Sequence, residues 1–317
     1  MGAGEFDLIA RIRARVATRA DVVLGIGDDA ALLAPPPGRQ FVVTADTLND
    51  GVHFPRGTSP ADIGWKALAV NLSDLASMGA EPAWCTLSLS LPQSDPAWIE
   101  GFLDGFLALA GQHGIALVGG DTTRGPLSIS VTAMGLVEPG QALRRDGARV
   151  GDEVWVTGTL GDAAGGLALL DREPVPALRA RLDRPTPRVA AGRALAGIAT
   201  ACVDVSDGLL ADLGHIASRS RVAAQVEVDA LPMSETLRAA FDAATRTALQ
   251  ASGGDDYELC FTAPLEARAG IDAVSTQLGL RITCIGRITA GEGVHPVDAQ
   301  SQPWSSRRRG YDHFAEH

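Results

Sequence analysis

The chain has 317 residues, 46% hydrophobic and 21% charged, a soluble globular composition that suits two domains of roughly 150 residues better than one. A formal net charge of -11 works against a nucleic-acid partner, whose phosphates would be repelled without a basic face. Lys66 is the only lysine, which excludes a Walker A loop and leaves no obvious lysine for a Schiff base.

Cys85, Cys202, Cys260 and Cys284 are far apart in apolar or alternating segments, so buried free thiols and a reducing cytoplasm are expected rather than a zinc site. Met1 to Asp7 shows no basic region followed by an apolar run, and no signal peptide is expected. No uncharged apolar run approaches membrane-spanning length, so no membrane partner is expected either.

In chain order, Phe6, Ile9, Ile12 and Val16 recur at helical spacing and predict an amphipathic helix over 5–18. A strand–turn–strand follows over Gly25–Leu33, then a short strand Phe41–Asp46 and a loop carrying His53. Ser59-Pro60-Ala61-Asp62 supplies a cap, a first-turn proline and an acid three residues on; the helix it starts should run to Met78, with Gly79 in the left-handed conformation. Ala83–Leu91 alternates as a half-buried strand, and Asp95-Pro96 opens a helix whose Trp98, Phe102, Phe106 and Leu109 read as a core stripe. Ile115–Val118 and Leu127–Val137 are further strands.

Alternation stops around Glu138-Pro139-Gly140, which places a domain boundary near 137–150 and gives domains 1–140 and 141–317. Beyond it, strands are expected at Val154–Val156, Val222–Val228, Cys260–Thr262 and 281–288, with helices between them. Arg307-Arg308-Arg309 reads as a solvated tail. The mixture makes both halves α+β or α/β.

Acids recur where apolar segments end: Asp28 and Asp29 between Gly27 and Ala30, Asp46 after Thr44-Ala45, Asp74 after Asn71, Asp121 after Gly119-Gly120, and Asp204 and Asp207 around Ser206. Asn71 and Asp74 are three apart and share a helical face. Two adjacent carboxylates are costly to bury unpaired. Seven acids are too many for a glycosidase pair, and without partner lysines they are either a cation cage or scattered surface acids; as a cage, hard oxygen ligands beside close-approaching glycine backbone suit magnesium and phosphate. Two-metal hydrolysis is the other chemistry such a cluster serves, and a cation merely bracing loops is a third, though the EF-hand spacing is absent.

Leu24-Gly25-Ile26-Gly27-Asp28-Asp29, Asn71–Ala80, Gly119–Gly125, Asp204–Leu209 and Asp256–Leu259, in this order, make the chain resemble the thiamine-monophosphate kinases, from Gly4-Glu5-Phe6 to Gly310–Phe314. The family shares its superfamily with aminoimidazole ribonucleotide synthetase and selenophosphate synthetase. The resemblance implies an N-terminal sheet-and-helix domain that dimerises through its sheet and binds ATP and magnesium. It also implies a C-terminal α/β domain with a mixed sheet that completes the site. The implied reaction is transfer of the ATP γ-phosphoryl group to thiamine monophosphate, assisted by several magnesium ions and needing no catalytic base. Carried over by motif, Asp29, Asp46, Asp74, Asp121, Asp204 and Asp207 match magnesium ligands, with Asp28 and the Thr44 and Ala45 oxygens as additions. Gly119, Gly120, Arg145 and Ser206 match nucleotide contacts. His53 and Asp255 match substrate contacts, although the family usually has glutamate where this chain has Asp255. The aromatic that covers the substrate falls on Tyr311, with Trp304 as the other candidate.

The N-terminus lacks the cysteine and nearby lysine of a selenophosphate synthetase, and the ending Phe314-Ala315-Glu316-His317 excludes the maturation proteins that modify a C-terminal cysteine. Aminoimidazole ribonucleotide synthetase remains the enzyme alternative.

Overall fold

The structure, a computed structural model, describes residues 4–17 and 19–305. Arg307–Arg309 and Tyr311 lie outside the described residues. Contacts divide the chain into two compact units, one running through Leu75 and including Ala80–Gly140, the other made of Ala76–Gly79 and the chain from Gln141 on.

In the first unit α1 (Glu5–Arg15) precedes the short pair β1 (Val22–Leu24) and β2 (Leu32–Leu33). Then come β3 (Gln40–Asn49), α2 (Pro60–Ser77), β4 (Glu81–Leu91), α3 (Pro96–His113), β5 (Ala116–Arg124) and β6 (Ser128–Val137). The helix expected over 5–18 stops at Arg15, and the strand expected to end at Asp46 continues to Asn49. At the start of α2, the Ser59 hydroxyl accepts from the Asp62 N–H at 3.2 Å and donates to the Asp62 carboxylate at 2.7 Å, closing the expected cap. Asp95 caps α3 through the N–H groups of Ala97 and Trp98, and Gly114 ends it in the left-handed conformation at φ 64°.

β3, β6, β4 and β5 form a four-stranded sheet in that order, with β4 and β5 parallel and the other pairs antiparallel. The strongly alternating β4 and β6 are therefore central, and among the described residues the free edges belong to β3 and β5. Leu87, Leu89, Ile129 and Val131 point to the buried face, while Ser88 and Ser130 face the other way. Phe102 and Phe106 are fully buried and stack at 5.8 Å, with Trp98 stacked on Phe102 at 5.3 Å, so that stripe is core. Lys66, on α2, is 1% exposed.

The second unit contains β7 (Glu153–Thr157), α4 (Asp162–Ala168), α5 (Pro176–Asp183), α6 (Val189–Leu195), β8 (Ala201–Asp204), α7 (Leu209–Ser220) and β9 (Ala223–Glu227). It continues through α8 (Glu235–Ala240), α9 (Ala243–Ser252), β10 (Leu259–Ala263), α10 (Arg268–Leu278), β11 (Ile282–Thr289) and β12 (Gly293–Val297). Its six-stranded sheet runs β12-β9-β11-β7-β10-β8 and is mixed, because β12 is parallel to β9 and the other pairs are antiparallel. All four cysteines are free; Cys85, Cys202 and Cys260 are buried and Cys284 is half-buried. Among the described residues, no helix is long and apolar enough to cross a membrane.

Candidate functional site

Within the first unit the acids fall into two groups. Asp28, Asp29 and Asp121 line one cavity of about 770 Å³ together with Gly119, Gly120 and the apolar walls Ile9, Ile12 and Leu117. The three carboxylates are exposed. Asp28 Oδ1 accepts the Asp29 N–H at 2.8 Å and Asp121 Oδ1 accepts the Thr122 N–H at 2.9 Å, which fixes each chain while its second oxygen remains an acceptor. At Gly120 φ is 148° and a Cβ would collide with the Leu87 carbonyl oxygen, so this strand position accepts only glycine and leaves its backbone bare toward the cavity.

The second group sits where β3 meets α2. Thr44 and Asp46 alternate onto one face of the strand: the Thr44 hydroxyl donates to the Asp74 carboxylate, and the Asp46 N–H donates to Asn71 Oδ1 at 3.2 Å. Ala45 points to the other face and is exposed. Asp46, Val131, Leu87 and Gly120 form one cross-strand row, so Asp46 stands three interstrand steps from β5. At about 4.8 Å per step that is roughly 14 Å, and Asp121, one residue beyond Gly120, points to the opposite face. One chain's sheet thus holds Asp46 and Asp121 apart. His53 closes the turn after β3, its Nδ1 accepting the Asn49 N–H at 3.0 Å, which requires that nitrogen to be unprotonated.

In the second unit, β8 ends in Asp204, and Val205–Gly208 turns into α7. Two bonds stitch the loop after α9 onto this turn: the Asp255 N–H donates to the Ser206 carbonyl at 2.8 Å and the Tyr257 N–H to the Val205 carbonyl at 2.8 Å. Asp255 and Tyr257 both have left-handed backbone, φ 69° and 50°, and the Tyr257 hydroxyl donates to Asp255 Oδ1 at 3.0 Å. Non-glycine residues held in that region mark a segment constrained by its surroundings. Asp204, Ser206, Asp207 and Asp255 are therefore brought together. The Cys202 N–H donates to the Arg144 carbonyl at 2.9 Å, which lays exposed Arg145 beside the strand leading to Asp204. Trp304 is partly buried against the core of this unit.

Residues 27–137 match the AIR synthase related protein, N-terminal domain, and residues 149–298 match the corresponding C-terminal domain. The thiamine-monophosphate kinase of Salmonella typhimurium is 48% identical to the chain over 99% of both. The chain belongs to the thiamine-monophosphate kinase family. The crystal structure of the family member from Stenotrophomonas maltophilia is 60% identical, has a TM-score of 0.88, and is matched over 93% of this chain and 97% of its own. A second solved structure, AaThiL complexed with AMPPCP and TMP, is 35% identical with a TM-score of 0.78 over 98% of this chain and 97% of its own. The chain is accordingly an enzyme of this phosphotransferase family with the two-domain fold that the resemblance implied.

Three acids to which the sequence assigns no site role organise the second unit: Asp212, outside every motif, and Asp256 and Glu258, within the Asp256–Leu259 motif. Asp212, 3% exposed, accepts the N–H groups of Ser206, Asp207 and Gly208 on one oxygen; burial, with the charge of Asp207, pushes its pKa up to about 7. Asp256 accepts the Gly161 N–H at 2.8 Å, and burial raises its pKa well above the usual carboxylate value. Glu258 is wholly buried and accepts from the Thr157 hydroxyl at 2.7 Å, Arg181 at 2.9 Å and Arg188 at 2.6 Å. Sequence offered one signal for Asp212, its place in the first turn of a helix behind a glycine, and none for how deeply these acids are buried. Among the described residues, no group of three or more His, Cys, Asp or Glu gathers as a metal cage.

Proposed function

We propose that this enzyme transfers the γ-phosphoryl group of ATP directly to thiamine monophosphate, giving thiamine diphosphate and ADP, with magnesium as the counter-charge. One observation carries the reading: exposed carboxylates Asp28, Asp29 and Asp121 line, together with the bare Gly119-Gly120 backbone, one cavity large enough for a nucleotide. With Lys66 buried and no other lysine in the sequence, metal cations, arginine and backbone amides are left to hold a triphosphate. The Salmonella typhimurium relative and the AMPPCP–TMP complex support both substrates.

The donor set is hard oxygen and the cavity wall contains no thiolate, which fits magnesium. Asp28, Asp29 and Asp121 would hold it in the first unit, with Thr44, Ala45, Asp46 and Asp74 as a second set, and Asp204 and Asp207 in the second unit. When bound, magnesium neutralises the charge that develops on the transferring phosphoryl group. The acceptor phosphate, with a second pKa near ~6, is largely ionised at pH 7, so no protein base is needed. Gly119 and Gly120 offer backbone to the nucleotide, Ser206 and Arg145 contact it, and His53, Asp255 and Tyr311 receive the thiamine moiety, whose thiazolium ring carries a fixed positive charge. The open sheet supports a homodimer. β3 has a free edge with Phe41 and Val43 half or more exposed, and pairing β3 of one copy with β5 of another would close the sheet and set acids that one chain holds apart on neighbouring strands. The free cysteines suit the cytoplasm.

The test is incubation with ATP, magnesium and thiamine monophosphate. Thiamine diphosphate and ADP in equal amounts are expected; inorganic phosphate in place of thiamine diphosphate would overturn the reading in favour of hydrolysis. Light scattering should give about twice 32.9 kDa, and Val43→Arg should return the protein to a monomer.

A further inference from the structure

The turn between β8 and α7 presents three successive amides, Ser206, Asp207 and Gly208, and all three donate to Asp212 Oδ2, at 3.0, 3.1 and 3.1 Å. Consecutive amides aimed at one point form a concavity of the kind that binds anions. Here a carboxylate from the first turn of the following helix fills it. Asp212 is 3% exposed, so holding it there carries a desolvation cost that a short serine or asparagine cap would largely avoid. A short cap would bond one or two of these amides, and the carboxylate fixes all three.

What is fixed matters. The same turn carries Ser206 and Asp207 and follows directly on Asp204, and its outward carbonyls at Val205 and Ser206 accept the N–H groups of Tyr257 and Asp255. The turn has no slack on its other side: Gly208 has φ 118°, and a Cβ there would lie 2.9 Å from the Ser252 backbone. Asp212 therefore stands behind the turn that carries Ser206 and Asp207 and, through the carbonyls of Val205 and Ser206, behind the loop that carries Asp255.

We propose that Asp212 is a positioning residue that locks the Val205–Gly208 turn, and through it Asp255, into the spacing that nucleotide and thiamine monophosphate require. The proposal rests on the assignment of Asp204, Ser206, Asp207 and Asp255 to the site.

The experiment compares wild type with Asp212→Ala and Asp212→Asn. Binding of magnesium with a non-hydrolysable ATP analogue is titrated calorimetrically well below each melting temperature, and kcat and KM are measured for both substrates. Asp212→Ala should lose about tenfold or more in analogue affinity and raise KM for thiamine monophosphate in the folded protein. Asp212→Asn, whose amide oxygen still accepts the three N–H groups, should recover most of both. A folded Asp212→Ala protein with wild-type analogue affinity and wild-type KM values, whatever its melting temperature, would overturn the proposal. If Asp212→Ala does not fold, Asp212→Ser, too short to reach all three amides, is read by the same two criteria. A wild type that binds the analogue but makes no thiamine diphosphate defeats the functional reading and leaves this proposal to the affinities; unchanged affinities and KM values in a variant of an active enzyme defeat this proposal alone.

Discussion

In the first unit Asp28, Asp29 and Asp121 stand exposed at a glycine-lined cavity, whereas in the second Asp212, Asp256 and Glu258 are buried and held by several donors or by backbone amides. Residue type does not separate the two sets. The difference lies in hydration. An exposed carboxylate keeps its water and has lone pairs to offer a cation, so it is inexpensive to retain and available for binding. A buried one survives only where arginines, hydroxyls or amides replace the lost water, and those partners consume the lone pairs that a ligand would need. Burial separates the exposed acids proposed to bind at the cavity from Asp212, Asp256 and Glu258, which build; Asp204, a proposed ligand that is only 4% exposed, is the exception.

Substitution can break this division at either end. The largest effect is expected at Glu258→Ala, which strips Arg181, Arg188 and Thr157 of their common partner; about 3–5 kcal/mol of stability should be lost, read from chemical denaturation. A loss under about 1 kcal/mol would mean that the buried network is not structural. Next, Asp121→Asn should lower kcat by on the order of 10²–10³ with an unchanged melting temperature, if this exposed acid holds magnesium as proposed and is not part of the packed fold. A parallel fall in melting temperature would erase the contrast between the units.

Asp255 tests the border between the two kinds, since it is fixed by its own N–H and by Tyr257 yet carries the acid assigned to the thiazolium. Asp255→Asn should raise KM for thiamine monophosphate about tenfold and leave KM for ATP alone; equal shifts in both would make it a structural residue of the turn. The smallest effect is expected at Ser234, which caps α8 through the Leu237 N–H and donates to Asp162 at 2.6 Å. Ser234→Ala should cost about 1 kcal/mol of stability with kinetics unchanged.

Much of this was legible from periodicity. Alternation located β4 and β6, and the capping chemistry of Ser59-Pro60 and Asp95-Pro96 located α2 and α3, because local pattern decides local structure. β12 went unread: it is five residues long, contains Pro296, and pairs in parallel with β9, a strand far away in sequence that no local pattern announces. The acids of the glycine-rich loops stood out by their setting, and the motifs led to the family. Asp212 did not stand out, since a single acid on an amphipathic helix looks like a solvated face until the three amides behind it are seen. Strand order likewise needs the fold: sequence gives Asp46 and Asp121 alike as acids of strands, and only the order β3-β6-β4-β5 shows that one chain holds them on opposite sides of the sheet.

The burial of Lys66 bears on how the protein can be handled. It is the only lysine side chain in the sequence and is 1% exposed, so reagents that acylate surface amines find no lysine target on the folded protein. A lysine introduced at an exposed position such as Val150 would then be a unique handle, able to carry a dye or a cross-linker without competition from any native side-chain amine. Modification at Lys66 itself would report unfolding of the first unit: its rate should stay negligible in the native protein and rise only as α2 leaves its core.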